Sequence, residues 1–111
     1  MGQKINIVID QGATFTTTFN VVDNNNLPID LSNYTTVSEM RKTYFSSNAH
    51  TFTASGYANG AIILSMNAAT TSAIWAGRYV YDIDIIDQTG NVSRVIEGIV
   101  TVTPGVTYGI R

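Results

Sequence analysis

The sequence predicts an all-β domain: an antiparallel sandwich or barrel of about seven strands, with one short helix between the fifth and sixth. Three observations carry this. The stretch from Gly77 to Thr103 reads as a long antiparallel hairpin, with period-2 alternation on its first limb. Further alternating segments recur along the chain, punctuated by turn signals every eight to twelve residues or so. Charged residues make up 13% of the chain, about half the usual share of roughly 25%. Solubility then falls to asparagine, serine and threonine, a composition that suits sheet surfaces and extracellular or particle-borne proteins.

The elements follow in order. Lys4 to Asp10 alternates, with Ile5, Ile7 and Ile9 on one face, and is the first strand. Gln11-Gly12-Ala13 forms a turn or bulge. Thr14 to Asp23 is the second strand, with Phe15, Thr17, Phe19 and Val21 inward. Asp23 to Pro28 is a loop, because Asx side chains bond their own backbone and proline cannot join a central ladder. Ile29 to Tyr34 is a connector that tucks Leu31 and Tyr34 into the core. Thr35 to Phe45 reads as the third strand, with Val37, Met40, Tyr44 and Phe45 as its apolar members. Val37 and Met40 differ by three, so a helical turn competes there. Ser46-Ser47-Asn48 turns the chain into a short fourth strand, His50 to Ala54, with Phe52 inward.

After the turn Ser55 to Gly60, Ala61 to Met66 is the fifth strand, with Ile62 and Leu64 inward. Asn67 is an N-cap for a helix of one or two turns, Ala68 to Ile74, and Gly77 stops it. The hairpin follows. Tyr79, Tyr81, Ile83 and Ile85 share the face expected at the centre of the core, with Phe15, Phe19 and Trp75 as further core residues. Asp87 to Asn91 supplies the turn, where Gly90 is free to take positive φ. Pro104-Gly105 ends the last strand. Val106 to Arg111 is a tail, disordered or docked on a partner. Residues 1–111 make one domain, large enough for a core without metal or disulfide staples.

Composition excludes several classes. The net charge is −2 and the six basic residues are scattered, adjacent only at Arg41-Lys42. Nucleic-acid binding needs clustered cations, so it is not expected. The chain has no cysteine, which removes disulfides, thiolate metal sites and a cysteine nucleophile. Met1 to Asn6 lacks the apolar core of a secretory signal, and no segment approaches the roughly 18–20 apolar residues of a membrane span.

The chemistry-bearing residues are few. His50 is the sole histidine; Ser46, Ser47 and Ser55 are near in sequence but sit in turns without a glycine elbow, and a half-exposed strand residue is the simpler reading. Asp82, Asp84 and Asp87 place alternating carboxylates on one strand face plus one at the turn. They suit Ca²⁺ through hard oxygen ligands, or a solvated sheet face pairing across to Arg94 or Arg78. The solvated face is preferred, since the spacing matches no EF-hand loop. Trp75, Tyr57 and Tyr34 are a possible sugar-stacking platform, although a tryptophan at a helix end is more often a core plug. No cofactor-binding fingerprint occurs, and no cofactor is expected.

Tyr79 stands two residues before Tyr81, the spacing of the tyrosine corner of immunoglobulin-like sandwiches, with Tyr81 in the place of the second cysteine; two ordinary core tyrosines are the alternative. A longer pattern carries a family resemblance. It runs through Asp10-Gln-Gly-Ala-Thr-Phe15, Pro28-Ile-Asp-Leu-Ser-Asn-Tyr34, Gly60-Ala-Ile-Ile-Leu-Ser65, Ala76-Gly-Arg-Tyr-Val-Tyr-Asp-Ile83 and Gly90 to Gly98, then on through Val100 to Thr107. Across residues 3–107 this resembles the small β-sandwich domains of tailed-bacteriophage virions. It is similar to the N-terminal domain of baseplate upper proteins and to small structural proteins of contractile-tailed phages of marine cyanobacteria. The resemblance implies a non-enzymatic role in the virion, docking on other tail or baseplate proteins, with no catalytic residues to carry over. In longer relatives a receptor-binding or scaffold region follows the sandwich, so no host-binding role is implied for a chain that stops at Arg111. Homo-oligomerisation or edge-strand docking is expected, through the first strand or the tail Val106 to Arg111. The competing function is a carbohydrate-binding or adhesive module using Trp75 and Tyr57.

Overall fold

A computed structural model describes residues 3–43 and 49–105. Two sheets face each other across one core. The strands are β1 (Gln3–Lys4), β2 (Ile7–Asp10), β3 (Phe15–Asn20), β4 (Thr35–Arg41), β5 (Ala49–Thr51), β6 (Thr53–Gly56), β7 (Ala61–Met66), β8 (Gly77–Ile86) and β9 (Val92–Thr103), with a short helix α1 (Ala68–Ser72) between β7 and β8. The larger sheet runs β1-β9-β8-β4-β5, with β2 also paired to β9; the smaller runs β3-β7-β6. This is an immunoglobulin-like β-sandwich.

The β8–β9 hairpin forms because one face of each limb is apolar. Tyr79, Tyr81, Ile83 and Ile85 are buried, opposite Val100, Ile96 and Val102 on the same face of β9. The smaller sheet closes the core with Phe19, Ile62, Leu64 and Met66. The hairpin's register shifts between Ile83 and Asp84, a bulge that returns Arg94 to the outer face beside Asp84. At the tip Gly90 takes φ +93°, and the Asp87 carboxylate accepts four hydrogen bonds from Thr89 and Asn91.

Several elements differ from the expectation. The first strand is not continuous: it breaks at Ile5-Asn6, and both pieces run parallel, not antiparallel, to β9. The break is held by residues far along the chain. Ile5 N–H donates to the Glu97 carbonyl (2.9 Å), the Tyr81 hydroxyl donates to the Ile5 carbonyl (2.6 Å), and Ile99 N–H donates to the Asn6 side chain (3.1 Å). Gly98 makes the approach possible, since a Cβ there would collide with the Ile5 carbonyl oxygen. The fourth strand is two strands. The chain leaves the larger sheet after Thr51 and enters the smaller at Thr53. Phe52 is the pivot: its N–H donates to the Ser38 carbonyl (3.0 Å) and its ring is buried against Phe15 and Tyr81. The third strand ends at Arg41 and is extended, which removes the helical competitor; Met40 points inward and Val37 outward. Tyr44, Phe45, Ser46, Ser47 and the tail 106–111 lie outside the described residues.

The helix begins where Asn67 caps it, accepting the Thr70 N–H (2.8 Å), and stops at Ser72 rather than Ile74. That early end overturns one assigned core residue. Ile74 takes the inward position and is fully buried, whereas Trp75 is 83% exposed. Phe15 is half-buried at the start of β3, packed against the core.

Candidate interaction surface

Trp75 stands on a backbone fixed from both sides. The Gln11 side-chain amide, buried in the β2–β3 turn, donates to the Ile74 carbonyl (2.7 Å), and its own carbonyl oxygen accepts from Gly105 N–H (3.0 Å). The Tyr79 hydroxyl donates to the Trp75 carbonyl (2.7 Å). A tyrosine near the start of this strand bonding a carbonyl four residues upstream is a tyrosine corner, which decides between the two readings of Tyr79. Its ring is fixed in turn, with the Lys42 ammonium 4.9 Å from the ring centroid and the His50 ring edge-on at 6.1 Å. Thr71 ties the same region together: it is fully buried, donates to the Ala13 carbonyl (2.8 Å) and accepts from Gly12 N–H (3.1 Å). The indole therefore projects into solvent from a rigid shelf. Ala76, Pro104 and Gln11 line a hollow of about 360 Å³ beside it.

Aromatic side chains of this kind, large and conformationally restricted, concentrate binding energy at interfaces. Neither Gln11 nor the outward turn of Trp75 is legible locally. Ile74 and Trp75 both follow Thr71 at helical spacing, and contacts with the first turn decide which one is buried.

The acidic set separates. Asp82 and Asp84 lie on the outer face of β8, with the Arg94 guanidinium Nε 3.2 Å from Asp82 and 3.6 Å from Asp84, while its Nη1 lies 3.7 Å from Glu97. Asp84 Oδ1 makes no hydrogen bond, so that contact is ionic only. Burial, then the neighbouring Asp84 charge, raises the Asp82 carboxyl above its ordinary range, and Arg94 opposes them. Asp87 is turned into its own hairpin tip, where the Thr89 and Asn91 hydrogen bonds pull its carboxyl down to about 2. Among the described residues, no three acidic, histidine or cysteine side chains gather as a metal site. The Arg94 pairing is the cross-strand bridge that the sequence offered as the alternative to calcium. In exposed settings each such contact contributes at most about 1 kcal/mol.

His50 is half-buried on β5 against Tyr79, and Ser55 lies exposed on β6. The three aromatics offered for sugar stacking do not converge. Tyr34 packs partly into the core. Tyr57 is 47% exposed in the β6–β7 turn, at the opposite end of β7 from α1, and a six-residue strand spans roughly 20 Å.

No protein-family model matches the chain, and no curated protein matches it significantly. Solved structures do. The SrpA adhesin of Streptococcus sanguinis aligns at a TM-score of 0.50 and 14% identity, covering 88% of this chain and 54% of the adhesin chain. An internalin-like protein of Listeria monocytogenes aligns at 0.49 and 21%, over 88% of this chain and 27% of that one. A family 123 glycoside hydrolase of Clostridium perfringens aligns at 0.44 and 12%, over 93% and 23%. This chain thus corresponds to one part of each of those larger chains. At 14% identity the adhesin likeness is one of fold, and the other two are looser still.

Proposed function

We propose that this domain is a non-enzymatic assembly module, a component of a phage tail or baseplate that works by docking on neighbouring virion proteins. The observation that carries the docking role is Trp75, 83% exposed on a backbone held by Gln11 and Tyr79. An indole left in water costs solvation free energy that a partner recovers by covering it. Because the shelf is already ordered, little conformational entropy is lost on docking. The virion setting is supported by the sequence resemblance across residues 3–107 and by the low charge of the chain. Mass spectrometry of purified particles from a phage encoding this chain tests the setting. Recovery with the tail or baseplate fraction is expected, and absence from it overturns the proposal.

The same exposed indole favours a second reading, an adhesive module in which Trp75 stacks on a sugar ring. The separation of Tyr57 and Tyr34 from Trp75 leaves that platform one residue wide. A glycan array separates the two: binding that disappears in Trp75→Ala supports adhesion, and an empty array removes it.

A further inference from the structure

Sheet edges are where the sandwich has unpaired backbone. In the constant-type immunoglobulin arrangement the first strand lies beside the second and covers its edge. Here the first strand runs along β9 instead, so β3 ends its sheet with no strand beside it among the described residues. The other edges carry protective features. β2 has four residues, bears Asp10, and is cut from β1 by the Ile5-Asn6 break; β5 has three residues and β6 four. β3 has six residues, Phe-Thr-Thr-Thr-Phe-Asn, with no proline and no glycine. From Gln11 to Val22 the chain bears no charge at all.

The phase of the ladder says which groups face outward. Val21 N–H continues the β7 side of the ladder by donating to the Gly60 carbonyl (2.8 Å). By alternation Phe15, Thr17 and Phe19 turn their backbone groups toward β7, and Thr16, Thr18 and Asn20 turn theirs to the open edge. A groove of about 320 Å³ runs beside that edge, lined by residues of β2 and β3 including Ile7, Asp10, Phe15 and Thr17.

We propose that β3 pairs antiparallel with β3 of a second copy about a two-fold axis at Thr17, extending the three-stranded sheet into six strands across the dimer. The segment is complementary to itself. In this register Thr16 lies opposite Thr18 of the second copy, a favourable cross-strand pair, and Phe15 lies opposite Phe19. No like charges meet, because the segment has none. The outward N–H and C=O groups of Thr16 and Thr18 then bond each other across the axis, as in strand addition to an open edge.

The test uses the purified chain, so it is independent of whether the protein is found in particles. Sedimentation velocity over a range of concentrations should show a reversible monomer–dimer equilibrium. Thr18→Lys, a change on an exposed outer-face residue, should shift it to monomer, with a thermal melt that matches the wild type's at dilutions where the wild type is itself monomeric. Thr18→Pro should do the same, because the N–H it removes faces outward. Since the chain has no cysteine, Thr17→Cys introduces a single thiol about 5 Å from its symmetry mate. It should form a covalent dimer under mild oxidation, whereas Asn24→Cys in the exposed loop should not. A wild-type monomer at every concentration overturns the proposal. So does a dimer that survives in folded Thr18→Lys, or equal cross-linking of the two cysteine variants.

Discussion

At the residue scale, two tyrosines on one strand face do different work. Tyr79 closes the corner under Trp75, and Tyr81 ties the broken first strand to the hairpin through the Ile5 carbonyl. Burial pushes the Tyr81 hydroxyl up to about 12 from its ordinary 10.0. The folded chain therefore holds this proton over a range in which the unfolded chain has lost it. Its contribution to stability is complete below pH 10 and is lost as pH rises from 10 through 12. Urea melts across that range should show the fall, and Tyr81→Phe should show a smaller one. At neutral pH the same variant should cost about 1 kcal/mol for the lost hydrogen bond. Trp75→Ala should behave in the opposite way. With the indole largely in water, stability should change by no more than about 0.5 kcal/mol in a urea melt, while the proposed docking, read as recovery in the particle fraction, should be lost. The sequence favours a core position for Trp75, and the structure turns it outward instead through Gln11 and Tyr79, contacts that local periodicity does not contain.

At the element scale, the hairpin was the most legible part of the chain. Alternation that buries Tyr79, Tyr81, Ile83 and Ile85 in one row is set by the side chains themselves. The helix start was legible too, because Asn67 caps it locally. The break in the first strand was not. Ile5 continues the alternation, and what interrupts pairing is Gly98 and Tyr81, 93 and 76 residues later. The passage of the fourth segment between sheets was hidden for the same reason, since Phe52 keeps the inward phase while its backbone changes sheet. Gly98→Ala tests the first-strand account. The added methyl meets the Ile5 carbonyl, so the N-terminal strand must shift. A loss of about 1–3 kcal/mol is expected, together with faster amide exchange at Ile5 and Ile99. Unchanged stability and exchange would mean that Gly98 does not govern the break.

At the scale of the whole molecule, the sandwich presents two kinds of surface. The outer face of the larger sheet carries its carboxylates around Arg94, an arrangement suited to solvent. The α1 end presents Trp75, and the flank presents the uncharged edge of β3. Both are suited to contact with protein. The sequence raises the acidic set as a candidate because its three members are close along the chain, while preferring a solvated sheet face. The fold separates them by turning Asp87 into the hairpin tip. If the chain is, as proposed, a built-in part of a tail or baseplate, quantitative mass spectrometry of purified virions whose genome encodes it should find it in the tail or baseplate fraction at a fixed ratio to known tail proteins. Absence from particles, with abundant free protein in the lysate, would overturn the proposal.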